Sequence, residues 1–182
     1  VSDGRVNMTV CNRSNDIIWG AYGANAVHFS ILQEYVAGAL GLSVGRYWQV
    51  SNNWHAYTEL FEKLTVDLEE YDRLFCPYYN GDVVVTPLEV KAGAEDVWNQ
   101  DLLMFLEDPF AIGFRSRFFR QCATPMYAAH AHWKKNTGDA RYSGALDILD
   151  QMPDDSDWRM AAEEWIRRRW DKFKKAQVNE TE

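Results

Sequence analysis

At 182 residues the chain is long enough for one domain with a sizeable core, or for one domain and a helical appendage. Its 47% hydrophobic and 14% aromatic content excludes a disordered chain, and the lack of a long apolar run predicts no transmembrane helix. A formal net charge of -8 repels a phosphate polymer and argues against general nucleic-acid binding, although a local arginine cluster still suits a small anion.

The N-terminus, VSDGRVNMTV, has no apolar stretch of the signal-peptide kind. It opens on Val, which reads as a trimmed or unusual start, or as a start inside a domain. Cys11, Cys76 and Cys122 are scattered and form no CxxC pair. That pattern suits reduced thiols and a cytoplasmic setting better than disulfides or zinc.

Residues 5–12 alternate, with Val6, Met8 and Val10 on one side, and predict a half-buried strand. Residues 13–24 are polar and Gly-rich and predict a loop. Asn25 suits the N-cap of a helix to Leu40, with Gly41 at its end. Phe29, Leu32, Val36, Ala39 and Leu40 recur at helical spacing, widened by Ile31 and Tyr35, so this helix is expected to be largely buried. Residues 46–51 alternate again as a second strand, Tyr47, Gln49 and Ser51 against Trp48 and Val50. A helix is expected over 59–75, a turn at Asn80-Gly81, and an edge strand over 82–90. From Ala92 the pattern is helical, over 95–106, 110–124, 126–135, 144–151 and 157–175, punctuated by Pro109, Pro125 and Pro153. A polar tail over 177–182 is expected to fray.

Three groups in the first third carry chemistry. Arg13-Ser14, just after a strand, offers a guanidinium fork and a hydroxyl to a terminal phosphate. His55 and Tyr57, two apart after a strand, suit a sugar hydroxyl, although taken alone the pair reads better as a capped helix start with a half-buried aromatic. Asn25 offers an amide that can read a pyrimidine edge or cap a helix. Further on, His130 and His132 diverge on a helix without clustered carboxylates or thiols, and no metal site is expected. Arg167, Arg168 and Arg169 read as a solvated face, with Trp158, Trp165 and Trp170 as packing.

Taken together, RSNDIIWG, GANAVHFSILQEYVAGALGLSVGRYWQ and NNWHAY resemble the thymidylate synthase family, which includes the pyrimidine nucleotide hydroxymethylases. The shared features are an Arg-Ser-x-Asp loop ending in Gly, an Asn opening a helix, a Gly-x-x-x-Gly exit, a strand, and His-x-Tyr. The resemblance implies that Arg13 and Ser14 bind the nucleotide phosphate, Asn25 the pyrimidine ring, and His55 and Tyr57 the deoxyribose 3′-hydroxyl. It implies Asp16 beside a reduced-folate pterin, with Trp19 and Gly20 lining that pocket. Members acting on cytosine nucleotides tend to carry Asp at the Asn25 place, so Asn25 favours dUMP. The cosubstrate implied is 5,10-methylenetetrahydrofolate, and the implied assembly is a homodimer. The implied fold is α+β with stacked sheets, present in part over 1–91, followed by a mostly helical region over 92–176.

Several family features are missing. The family nucleophile is a Cys in a Pro-Cys-His segment, further upstream of the Arg-Ser pair than this chain extends before Arg13. Cys11 lies on the strand and cannot be that residue. The folate-facing Glu and Trp of the family's N-terminal half are not matched. Nor is its apolar C-terminus, where this chain has VNETE. The spacing from Gly20 to Asn25 is one residue longer than usual. The expected function is one-carbon transfer to C5 of dUMP, as methyl or hydroxymethyl, with the nucleophile supplied from elsewhere. The alternative is a non-catalytic nucleotide-binding or assembly module.

Overall fold

The computed structural model describes residues 1–60 and 81–179. The chain divides into two compact units, Val1–Phe75 with Val90–Glu95, and Cys76–Glu89 with Asp96–Glu182. Strand and helix are mixed, which is compatible with an α+β protein.

The first unit is a strand–helix–strand. Strand β1 (Arg5–Asp16) runs parallel to β2 (Ser43–His55), and helix α1 (Asn25–Ala39) joins them. Both strands outrun their predicted ends. Residues 13–16, expected in a loop, stay in the ladder because Ser14, Asn15 and Asp16 pair with Asn53, Trp54 and His55. Asp16 then ends the strand by turning its carboxylate onto the next amides. Its Oδ1 accepts from Ile18 N at 3.0 Å and Trp19 N at 2.5 Å. A π-helical turn, Ile17–Ala24, follows and kinks at Gly23. Past the kink, Ala24 already has helical dihedrals, φ -56° and ψ -41°. Asn25 has helical dihedrals, φ -68° and ψ -40°, and is not the cap expected of it. Gly41 does close the helix, at φ +65°, a conformation that glycine adopts without strain.

The burial of α1 differs from expectation. Gln33 and Ala37 are its buried residues, while Leu32 is 47% and Leu40 57% exposed. Gln33 is buried because the ladder slips by one residue between Val6 and Met8. Its Nε2 donates to Val6 O at 2.7 Å and Arg46 O at 3.1 Å, satisfying carbonyls at the slip. Residues 58–60 begin the helix expected over 59–75. The rest of that helix and the Asn80 side of the turn lie outside the described residues.

In the second unit, residues 82–90 do not form the expected strand. Only Val84 pairs, with Val84 N donating to Asp155 O at 2.7 Å and Asp157 N to Val84 O at 3.1 Å. Helix α2 (Glu95–Glu107) matches its pattern. The helix expected from residue 110 starts only at Arg117. Asp101, fully buried, holds the intervening loop by accepting from Arg115 N at 2.7 Å and Ser116 N at 2.6 Å. A π-helical turn, Phe119–Ala123, leads directly into α3 (Thr124–Lys135), so Pro125 does not interrupt it. The wider turn absorbs the missing N–H and the ring clash that proline brings. Helix α4 (Gly138–Leu149) starts six residues earlier than its pattern suggested. Helix α5 (Asp157–Asn179) carries the helix into the tail that was expected to fray.

Cys122, Ala129, Tyr142, Ala145, Leu149, Met152 and Ile166 form the core of this unit, flanked by Trp133, Trp158, Trp165 and Trp170. Arg159 staples the start of α5 to Asp150, Asp154 and Glu163.

Candidate functional site

Two parallel strands bring their C-terminal ends to one place, and in sheets of this kind ligands bind there. β1 ends in Arg13, Ser14, Asn15 and Asp16, and β2 ends in Asn53, Trp54 and His55. The burial alternation of β1 loses its phase at this end. Arg13 and Ser14 are both exposed, and Asn15 is buried.

Ser14 Oγ lies 3.4 Å from His55 Nδ1, joining the ends of the two strands. The His55 ring meets the Tyr57 ring edge-on, centroids 5.7 Å apart. Three of the residues singled out in the sequence therefore adjoin one another. Arg13 is exposed, with no ion-pair partner among the described residues, so its fork is free for an anion. A cavity of about 340 Å³ beside them is lined by Trp19, Tyr57, Thr58, Glu59 and Leu60.

Asp16 has two faces. Its Oδ1 is spent on the turn, while its Oδ2 is buried with no hydrogen-bond partner among the described residues. An unpaired buried acceptor is costly unless something donates to it. Trp19, 63% exposed, follows on the same turn. Gly20 packs closely against the side chains of Asn15 and Asn25. A Cβ there would collide with Asn15 Oδ1 and lie 3.2 Å from Asn25 Nδ2.

Asn25 makes side-chain contact inward, donating from Nδ2 to Asn15 Oδ1 at 2.9 Å. Asn15 and Gln49 join it in a half-buried amide chain that sequence reasoning missed. The available signal was weak: an Asn inside the motif and a Gln alternating with Trp48 and Val50. Those two apolar residues are 44% and 55% exposed, and Trp54 on the same strand is 54% exposed.

Elsewhere, His130 stacks on Trp133 and His132 Nε2 lies 3.1 Å from Ala140 O. Among the described residues no group of three or more His, Cys, Asp or Glu could hold a metal ion. Arg167 and Arg168 pair with Glu163 and Glu164, and Arg169 lies over the Trp165 ring. No helix among the described residues is long and apolar enough to cross a membrane.

No family model matches the chain, and no solved structure matches it. Curated relatives do. The deoxyuridylate hydroxymethyltransferase of Pseudomonas phage M6 is 47% identical over 173 residues, 92% of this chain and 48% of that protein. That alignment is too long to exclude the helical region. The protein of the same name from Bacillus phage SP01 is 39% identical over 69 residues, 37% of this chain and 18% of that protein. The thymidylate synthase of Symbiobacterium thermophilum is 35% identical over 68 residues, 37% of this chain and 24% of that protein. The chain thus spans about half the length or less of these relatives. With its Arg-Ser-x-Asp, Asn and His-x-Tyr features, the chain is similar to thymidylate synthase-like proteins, phage deoxyuridylate hydroxymethyltransferases among them.

Proposed function

We propose that this chain forms the dUMP-binding part of an enzyme that transfers a one-carbon unit to C5 of the uracil ring. The observation that carries the reading is the contact of Ser14 with His55 and of His55 with Tyr57 at the ends of two parallel strands, where Arg13 precedes Ser14 on β1. Arg13 and Ser14 bind the phosphate, with charge-assisted hydrogen bonds to its oxygens. His55 and Tyr57 hold the 3′-hydroxyl, and Asn25 reads the base edge. Hydroxymethyl is the favoured product, since the relative aligned over 92% of the chain is named for that transfer.

The cosubstrate is 5,10-methylenetetrahydrofolate. The unpaired Oδ2 of Asp16 and the exposed indole of Trp19 fit a pterin, one as acceptor for ring N–H groups and one as a stacking face. Bound there, the folate supplies a carbon at the formaldehyde oxidation level. A water then provides the hydroxyl of hydroxymethyl-dUMP. The thiolate that activates C5 by adding to C6 comes from outside residues 1–182. The exposed side chains of Trp48, Val50 and Trp54 on β2 support a homodimer closed across the sheet.

Calorimetry with dUMP, dCMP and deoxyuridine tests this reading. Binding of dUMP, with dCMP weaker and deoxyuridine absent, is the expected result. No binding of dUMP to a folded, dimeric sample would turn the assignment to a non-catalytic assembly module.

A further inference from the structure

The amide of Asn25 does not stand alone. Asn15 is 2% exposed, and its side chain is engaged on both sides. Its Nδ2 donates to Gln49 Oε1 at 2.9 Å, and its Oδ1 accepts from Asn25 Nδ2 at 2.9 Å. Gln49 Nε2 donates in turn to the backbone carbonyl of Ala21 at 2.8 Å. The direction of this chain is forced from its far end. A backbone carbonyl only accepts, so Gln49 must turn its nitrogen to Ala21 and its oxygen to Asn15. Asn15 must then turn its nitrogen to Gln49 and its oxygen to Asn25. One fixed acceptor sets three amides. The backbone of Asn25 is held as well, its carbonyl accepting from Tyr47 Oη at 3.4 Å. Gly20 leaves the space in which the Asn15–Asn25 bond forms.

We infer that Asn15 and Gln49 are positioning residues that lock the Asn25 amide in one orientation and thereby decide which pyrimidine the site reads. The inference rests on the reading of Asn25 as the residue that meets the base. In the locked state Asn25 keeps one N–H and the oxygen of its amide for a ligand. A neighbouring donor and acceptor complement the O4 and N3–H of uracil. Cytosine reverses both groups, with an amino group at C4 and a bare N3. An amide free to turn over serves either base, whereas a locked one serves a single base. Specificity for uracil is then held partly by residues that never touch the nucleotide.

The test is the ratio of dUMP to dCMP affinity, by calorimetry, in the wild type and in Asn15→Leu, Gln49→Met, Asn15→Asp and Asn25→Ala. Deoxyribose 5-phosphate serves as a probe of the phosphate site alone. Asn15→Leu and Gln49→Met are expected to lower the ratio about tenfold, the equivalent of one modest hydrogen bond, and to leave deoxyribose 5-phosphate binding unchanged. A merely structural role would weaken all three ligands alike. Asn15→Asp keeps an acceptor for Asn25 and is expected to retain most of the preference. Should Asn15→Leu fail to fold, Gln49→Met, at a half-buried position, carries the same test. A wild-type ratio in the relay variants, with the ratio lost in Asn25→Ala, overturns the relay and leaves the base contact standing. A wild-type ratio in Asn25→Ala removes the base contact itself, and the relay with it.

Discussion

Leu149, in the helical unit, is fully buried, whereas Leu32, on the helix that joins the two strands, is 47% exposed. Both are leucines at helical spacing on apolar stripes. The helical unit closes a core of its own from α3, α4 and α5. The strand–helix–strand unit instead buries polar side chains, Asn15 at 2% and Gln33 at 1%, and leaves Trp48, Val50, Leu32 and Leu40 open. An apolar stripe therefore reports where a helix or strand wants a neighbour, and does not say that the neighbour belongs to the same stretch of chain.

The comparison breaks first on stability. Leu149→Ala is expected to cost about 2–5 kcal/mol in denaturant unfolding, the range for emptying a packed leucine site. Leu32→Ala is expected to cost under about 1 kcal/mol in the same chain, as at a surface position. Equal losses would mean that α1 is covered after all.

Binding comes next. Arg13→Ala should weaken dUMP affinity by about 1.5–3 kcal/mol, the worth of hydrogen bonds to a charged group. Thermal unfolding without ligand should be unchanged, because Arg13 is exposed and unpaired among the described residues. Unchanged dUMP affinity would remove Arg13 from the site. A smaller effect follows for Asp16→Ala, which loses the cap on Ile18 and Trp19. About 0.5–2 kcal/mol of stability is expected to go. Folate affinity should fall by more than the loss of the cap alone explains, since Oδ2 is the unpaired atom.

Much of this was legible in the sequence. The strand cores, the glycine exit at Gly41, α2 and the body of α5 follow from periodicity and turn chemistry. So does the gathering of Ser14, His55 and Tyr57, once the motif order is recognised. What was not legible depended on pairing. Residues 13–16 are polar enough for a loop, yet they stay extended because residues 53–55 are there to pair with them. Asn25 has the right chemistry for a cap, but Asp16 starts the helical path nine residues earlier and leaves the Asn25 amide free for Asn15. Pro125 reads as a breaker, and a π-helical turn just before it removes the conflict. The alternation of β2 separates its two faces without saying which is covered, and the face with Trp48 and Val50 is open.

The smallest effect concerns pH, and it separates the units by their charges. Glu163 is pulled both ways. Burial raises its pKa, but hydrogen bonds and charge from Arg159 and Arg167 outweigh that and hold it below the ordinary 4.5. Arg159 Nε donates to it at 2.7 Å and Arg167 Nη2 at 3.0 Å. A carboxylate with a depressed folded-state pKa contributes stability that is complete above the unfolded-state value. That contribution is lost as pH falls through the lower folded-state value. Glu163→Gln should therefore be less stable than the wild type at neutral pH, with the gap closing as the pH falls below about 4. Urea midpoints followed by far-ultraviolet circular dichroism at several pH values measure the gap. A gap that stays constant into acid would mean that Glu163 acts through packing and not through its charge. The Arg13 guanidinium has no carboxylate partner among the described residues, so acid should loosen the start of α5 without changing the contacts of Arg13.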